Sequence, residues 1–148
     1  MTKLHQLLVP TDFSPAANAA KAYATVLAEA FGATLHVLHV VPDPLAGGWS
    51  VDAAYLPQML ERTEEHAHQQ LETLLTPEER ARLRVQLAVE TGAPVDAITG
   101  YAQKHGIDLI VMGTQGKGTV ERMWVGSVTQ GVLRRASCPV VSVQQPRA

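Results

Sequence analysis

Five short apolar runs recur along the chain with longer segments of helical periodicity between them. The runs are LHQLLVP (4–10), TLHVLHVV (34–41), RVQLAVET (84–91), DLIVMG (108–113) and PVVSV (139–143), and they read as strands. Segment 15–31 is alanine-rich and opens with Ser14 as N-cap and Pro15 at the first helical position; Gly32 stops it. Segment 57–75 carries Met59, Leu60, Ala67, Leu71, Leu74 and Leu75 at near-helical spacing, and Thr76, Pro77 and Glu79 form a capping box for a further turn. Segments 94–106 and 127–137 complete the helices. Strand, helix, strand repeated in this way makes βαβ units, so the expected fold class is α/β, an open five-stranded parallel sheet with helices on both faces. The long irregular stretch 43–56 reads as a mobile loop or a partner surface.

At 148 residues the chain is expected to be one domain spanning 1–148, with neither an internal repeat nor a low-complexity segment. A net charge of −2 argues against nucleic-acid binding through a general electrostatic footprint. Cys138 is the sole cysteine, so nothing calls for an oxidising compartment. The apolar stretch near the N-terminus is too short for a signal peptide, and no segment approaches the roughly 18 apolar residues of a membrane span. A cytoplasmic protein is expected.

In open α/β sheets, ligands bind beyond the C-terminal strand ends, where the strand order reverses. The first strand ends in Pro10-Thr11-Asp12 and puts a carboxylate there; Asp12 as a cap for the next turn is the competing reading. The fourth strand ends in Met112-Gly113 and runs into GTQGKGTVERMWVGS (113–127). Glycines at 113 and 116 suit a backbone passing close to a ligand, and Gly126-Ser127 opens the last helix, whose first N–H groups lack intrahelical partners. Together these would surround an anion with donors. Alternatively, Gly113 only turns the chain, and Ser127 with Gln130 is an ordinary capping box. The spacing fits neither a Walker loop nor the dinucleotide fingerprint.

Gly113-x2-Gly116-x9-Gly126-Ser127 resembles the ATP-binding signature of the universal stress proteins, G-x2-G-x9-G-[S/T]. The likeness extends through LLVPTDFS, LHVLHVV, DLIVMGTQGKG and GSVTQGVLRRASCPVVSV, and is missing from 43–56. The resemblance implies a Rossmann-like sheet of strand order 3-2-1-4-5 and a bound ATP. Pro10, Thr11 and Asp12 would approach the ribose and the phosphates, with Mg2+ or Mn2+ bridging Asp12 to the latter. Val40 would meet adenine through its backbone, which favours ATP over GTP. Met112 and Gly113 would flank the nucleotide, and Gln115 and Gly116 would line the phosphate loop. Gly126, Ser127, Val128 and Thr129 would grip the phosphates, with hydroxyl donors from Ser127 and Thr129. Gln115 stands where binders often show histidine. A side chain at Gly126 would fill the phosphate space and strain the turn. The resemblance further implies a homodimer joined through the last strand, for which proline at Val141 is the test.

Weaker candidates have plain alternatives. Lys117 either reaches a phosphate or is only solvated, Cys138 reads as a small buried residue, and Trp49 and Trp124 as partly buried side chains. His36 and His39 fall on opposite faces of a strand, and His66 and His68 do not share a helix face, which disfavours a metal site. The functional expectation is a nucleotide-dependent stress or signalling protein. Slow ATP hydrolysis or nucleotidyl transfer, or an interaction module with a vestigial pocket, are the alternatives; Asp12 is the only carboxylate placed in the site, so no general base stands out. A flavodoxin-like FMN carrier would need its phosphate loop after the first strand, where TDFSPAA has no glycine.

Overall fold

The computed structural model describes residues 3–45, 52–114 and 126–145. In chain order these form β1 (Gln6–Pro10), α1 (Pro15–Phe31), β2 (Thr34–Val41), α2 (Leu56–Leu74), α3 (Pro77–Arg82), β3 (Arg84–Thr91), α4 (Pro94–Lys104), β4 (Leu109–Gly113), α5 (Ser127–Arg135) and β5 (Val140–Val143). All strand pairs are parallel and the sheet order is β3-β2-β1-β4-β5, as expected.

Strand side chains alternate between faces, and the central strands β1 and β4 carry apolar residues on both because both faces are covered. Leu7, Val9, Leu35, Val37, Leu109 and Val111 point to one side and pack with Ala20, Ala24 and Ala28 of α1 and Leu71 of α2. Leu8, Leu38, Ile110 and Met112 point to the other and pack with Ile98, Tyr101 and Ala102 of α4 and Val132 of α5. The alanines at every fourth position of α1 let that helix lie close to the sheet. Ser14 accepts from Ala17 N–H and caps α1, and Gly32 ends it in the left-handed region (φ 64°) that a Cβ disfavours. The capping box at Thr76 and Glu79 forms as the sequence implies.

The α4 side of the sheet holds a buried polar cluster. His36, 2% exposed, lies on the α4 side of β2 near the N-terminal rim of the sheet. Its ring nitrogens meet Tyr101 Oη at 2.7 Å and Gln6 Oε1 at 2.6 Å. Tyr101 stacks on His105 with centroids 4.0 Å apart. Burial lowers the His36 pKa below its ordinary 6.5, and repulsion from His105 adds to the shift.

Candidate functional site

The chain runs from β1 outward to β2 and β3, then returns to the opposite flank of β1 for β4 and β5, so strand order reverses between β1 and β4. Above the C-terminal strand ends, at that reversal, lies a cavity of about 470 Å³, within the roughly 300–1,000 Å³ usual for small-ligand sites. Pro10, Thr11, Asp12, Val40, Met112, Gly113, Gly126, Ser127, Val128 and Thr129 all line it. Gln115 and Gly116, also expected there, and Lys117, Trp49 and Trp124 lie outside the described residues.

The β1–α1 turn is held tightly. Thr11 N–H donates to Leu38 C=O (2.8 Å), Thr11 Oγ1 accepts from Phe13 N–H (3.0 Å), and Asp12 Oδ1 accepts from Ser14 N–H (3.0 Å). Asp12 therefore caps its turn and also lines the cavity; the two readings of it are compatible. On the opposite flank, Gly126 N–H donates to Thr114 C=O, and Thr129 Oγ1 donates to Gly113 C=O at 2.8 Å. These bonds dock the start of α5 against the end of β4.

Four local expectations change. The absent side chain of Gly113 serves the packing of the chain, since a Cβ there would sit 2.7 Å from the backbone carbon and oxygen of Ala16. The Thr129 hydroxyl is committed to Gly113 and is not a donor toward the cavity; its residue is 4% exposed. The N-cap of α5 is Gly126, not Ser127, so Ser127 and Gln130 form no capping box. Gly126 adopts φ −61° and ψ 154°, extended backbone open to any residue, so a side chain there brings no conformational strain. Because a glycine N-cap has no side chain, the first N–H groups of α5 receive no cap from it, and they stand at the cavity with the positive end of the helix dipole.

At the other end the lining is apolar: Leu38, Val40, Pro42, Pro94, Ile98 and Met112. Successive strand residues turn their backbone groups to alternate sides. Leu38 C=O faces β1, so Val40, two residues on, also turns its N–H and C=O to the β1 side, level with the point where β1 has given way to its turn. A backbone donor and acceptor thus border an apolar slot.

Sequence reasoning weighed His39 only as a metal ligand and did not place it here. It lines the cavity, its Nδ1 lies 2.8 Å from Thr11 C=O, and the Phe13 ring lies 4.7 Å away, centroid to centroid. Its position beside Val40 at a strand end was the available signal. Pro94 and Ile98 were also missed, because the approach of α4 to the cavity is a tertiary fact. Among the described residues no group of three or more His, Cys, Asp or Glu side chains gathers, and no helix is long and apolar enough to cross a membrane.

The profile of the universal stress protein family matches residues 3–144. A universal stress protein of Thermus aquaticus is 37% identical over 141 residues, covering 93% of this chain and 97% of its own. The solved universal stress protein from Lactobacillus plantarum superposes with a TM-score of 0.82 at 30% identity, covering 97% of this chain and 99% of its own. Two more distant structures share the fold. One is a universal stress protein in complex with cAMP (TM-score 0.62, 23% identity, 98% and 100% coverage). The other is the universal stress protein from Archaeoglobus fulgidus in complex with dAMP (0.58, 24%, 95% and 98%).

Proposed function

The chain belongs to the universal stress protein family, and on that premise we propose that it is an ATP-binding member acting as a nucleotide-dependent stress-response or signalling protein in the cytoplasm. One observation carries this reading. The cavity at the strand-order reversal joins an apolar slot bordered by the Val40 backbone to the N-terminus of α5, whose glycine N-cap supplies no side-chain hydrogen bond. The first suits a flat base with a hydrogen-bonding edge, and the second suits phosphate. The cAMP and dAMP carried by two fold neighbours are adenine nucleotides, in keeping with this reading.

In this account adenine lies in the slot, with Val40 N–H donating to its N1 and Val40 C=O accepting from its amino group. Guanine presents the reverse polarity there, so ATP binds better than GTP; a buried mismatch costs about 1–3 kcal/mol. The phosphates lie against the N–H groups of residues 127–129, and Ser127, exposed at the helix start, adds a hydroxyl. A lone carboxylate beside phosphate oxygens is a common Mg2+ arrangement. Asp12 lines the cavity and thus fits Mg2+ or Mn2+ brought in with the nucleotide. The metal would supply charge neutralisation for the phosphates. Among the described residues Asp12 is the only carboxylate lining the cavity, in keeping with slow hydrolysis at most.

The same reading makes residues 1–148 one domain and the protein a homodimer paired through β5, which lies at the sheet edge. The ladder corrects the test for this. Ile110 N–H donates to Pro139 C=O and Thr114 N–H to Val143 C=O, so odd-numbered residues of β5, Val141 included, face β4. Proline at Val141 would damage the sheet itself, whereas Ser142 turns its N–H outward. Ser142→Pro should therefore yield a folded monomer in light scattering.

The functional reading is tested by denaturing the purified protein and identifying what it releases by mass spectrometry. ATP, ADP or AMP in near-stoichiometric amount supports it. A protein that releases none of them, and binds none on titration, does not carry this function.

A further inference from the structure

In a parallel ladder, a residue facing its neighbour strand donates its N–H to one carbonyl and accepts at its C=O from the N–H two positions farther along. Thr11 N–H donates to Leu38 C=O at 2.8 Å, so the regular continuation is Val40 N–H to Thr11 C=O. Among the described residues that rung is missing. The Thr11 carbonyl accepts instead from His39 Nδ1, also at 2.8 Å. A carbonyl oxygen only accepts, so Nδ1 is the protonated nitrogen. Thr11 is 6% exposed, which makes a donor for its carbonyl necessary, and a side chain has taken the place the ladder reserves for a backbone amide.

The replacement is built in rather than incidental. Phe13 sits at φ 64°, a left-handed conformation that non-glycine residues rarely adopt, and from there its ring lies against the His39 imidazole at 4.7 Å. Thr11 Oγ1 holds the Phe13 N–H, and Asp12 Oδ1 holds that of Ser14, so the turn that presents the Thr11 carbonyl to His39 is fixed.

We propose that His39 is a positioning residue for base recognition: by occupying the Thr11 carbonyl it ends the β1–β2 ladder one rung early and keeps the Val40 N–H open for the ring-nitrogen acceptor of adenine. This rests on the adenine-nucleotide reading above and deepens it. The amide that reads the base is the one the sheet would otherwise consume, and the residue that spares it is its immediate neighbour in sequence. His39 acts through Val40 and does not itself touch the base.

Replacing His39 with leucine removes the donor and leaves Val40 N–H to close the rung. Calorimetric titration of His39→Leu should show ATP affinity reduced by about tenfold, the worth of one such bond. GTP, whose guanine N1 carries a hydrogen and cannot accept from that amide, should be far less affected, so the ATP-to-GTP ratio should shrink by a similar factor. His39→Asn places a carboxamide N–H near the position of Nδ1 and should restore the ratio to within about threefold of the parent, a rescue that general loosening of the turn would not give. Amide hydrogen exchange on the ligand-free parent gives a reading that needs no variant: Val40 should exchange freely and Leu38 should be protected. Val40 as protected as Leu38 overturns the proposal. A folded His39→Leu variant that discriminates as the parent does overturns it alone, while a parent that binds neither nucleotide overturns the functional reading and this one together.

Discussion

His36 and His39 stand on the same strand and meet opposite fates. At the N-terminal rim His36 is sealed, with both ring nitrogens matched to Tyr101 and Gln6. At the C-terminal rim His39 borders a cavity, and the bond it makes to Thr11 displaces a backbone amide. Polar groups at the first rim are spent on each other and stabilise the fold. Around the second rim, the Val40 backbone and the first N–H groups of α5 are turned toward a space that other chemistry can fill. The difference separates what holds this molecule together from what it can bind, and substitutions at the two rims should separate stability from binding in the same way.

The largest effect should come at the C-terminal rim where the end of β4 presses on the start of α1, at Gly113→Val. A Cβ there meets the Ala16 backbone at 2.7 Å, and backbone cannot rotate aside. Loss of about 3 kcal/mol is expected from overpacking, read as a lower urea midpoint, and nucleotide binding should weaken as well because α1 carries the Asp12 turn. A variant of parental stability would show that α1 rides on β4 less closely than described.

At the closed rim, His36→Leu leaves the Tyr101 hydroxyl buried without its partner. That should cost about 2 kcal/mol of stability while ATP affinity stays within twofold of the parent. A large loss of affinity with intact stability would merge the two rims and break the comparison.

The smallest effect is a pH dependence belonging to the same rim. Because folding lowers the His36 pKa below 6.5, above that value both the folded and unfolded forms are neutral and nothing is lost. As pH falls from 6.5 toward the lower folded value, the unfolded chain takes up the proton first, so stability decreases. Denaturation midpoints measured at pH 7.5 and 5.5 should differ less in His36→Leu than in the parent. An unchanged difference would assign the acid sensitivity elsewhere.

Legibility in the sequence followed how local the determinants are. Ser14, Pro15 and Gly32 bracket α1 at the residues expected, and Thr76 and Glu79 form their box, because caps are made by neighbours along the chain. The alternation of strand and helix patterns announced a parallel sheet covered on both faces, and the family resemblance supplied its strand order. The last helix ends at Arg135, earlier than periodicity suggested, since Ala136 is already extended on the approach to Pro139. Segment 57–75 holds its face at Ala67 and Leu71, but Met59 is left exposed. What could not be read were the tertiary facts: the pressure of Ala16 on Gly113, the commitment of the Thr129 hydroxyl to Gly113, the outward turn of Ser142 rather than Val141, and the capture of Thr11 by His39. Each depends on where a second element lies, which no spacing encodes.

Calorimetric titration of Gly126→Val with ATP tests the central claim most directly. Gly126 has unstrained extended backbone and lines the cavity at the start of α5, so a β-branched side chain should leave the circular dichroism spectrum intact while obstructing the phosphate position. The account predicts a folded protein whose ATP affinity falls at least a hundredfold, about 2.7 kcal/mol, beside a parent that binds. A folded Gly126→Val protein that binds ATP as the parent does would place the phosphates somewhere other than the N-terminus of α5.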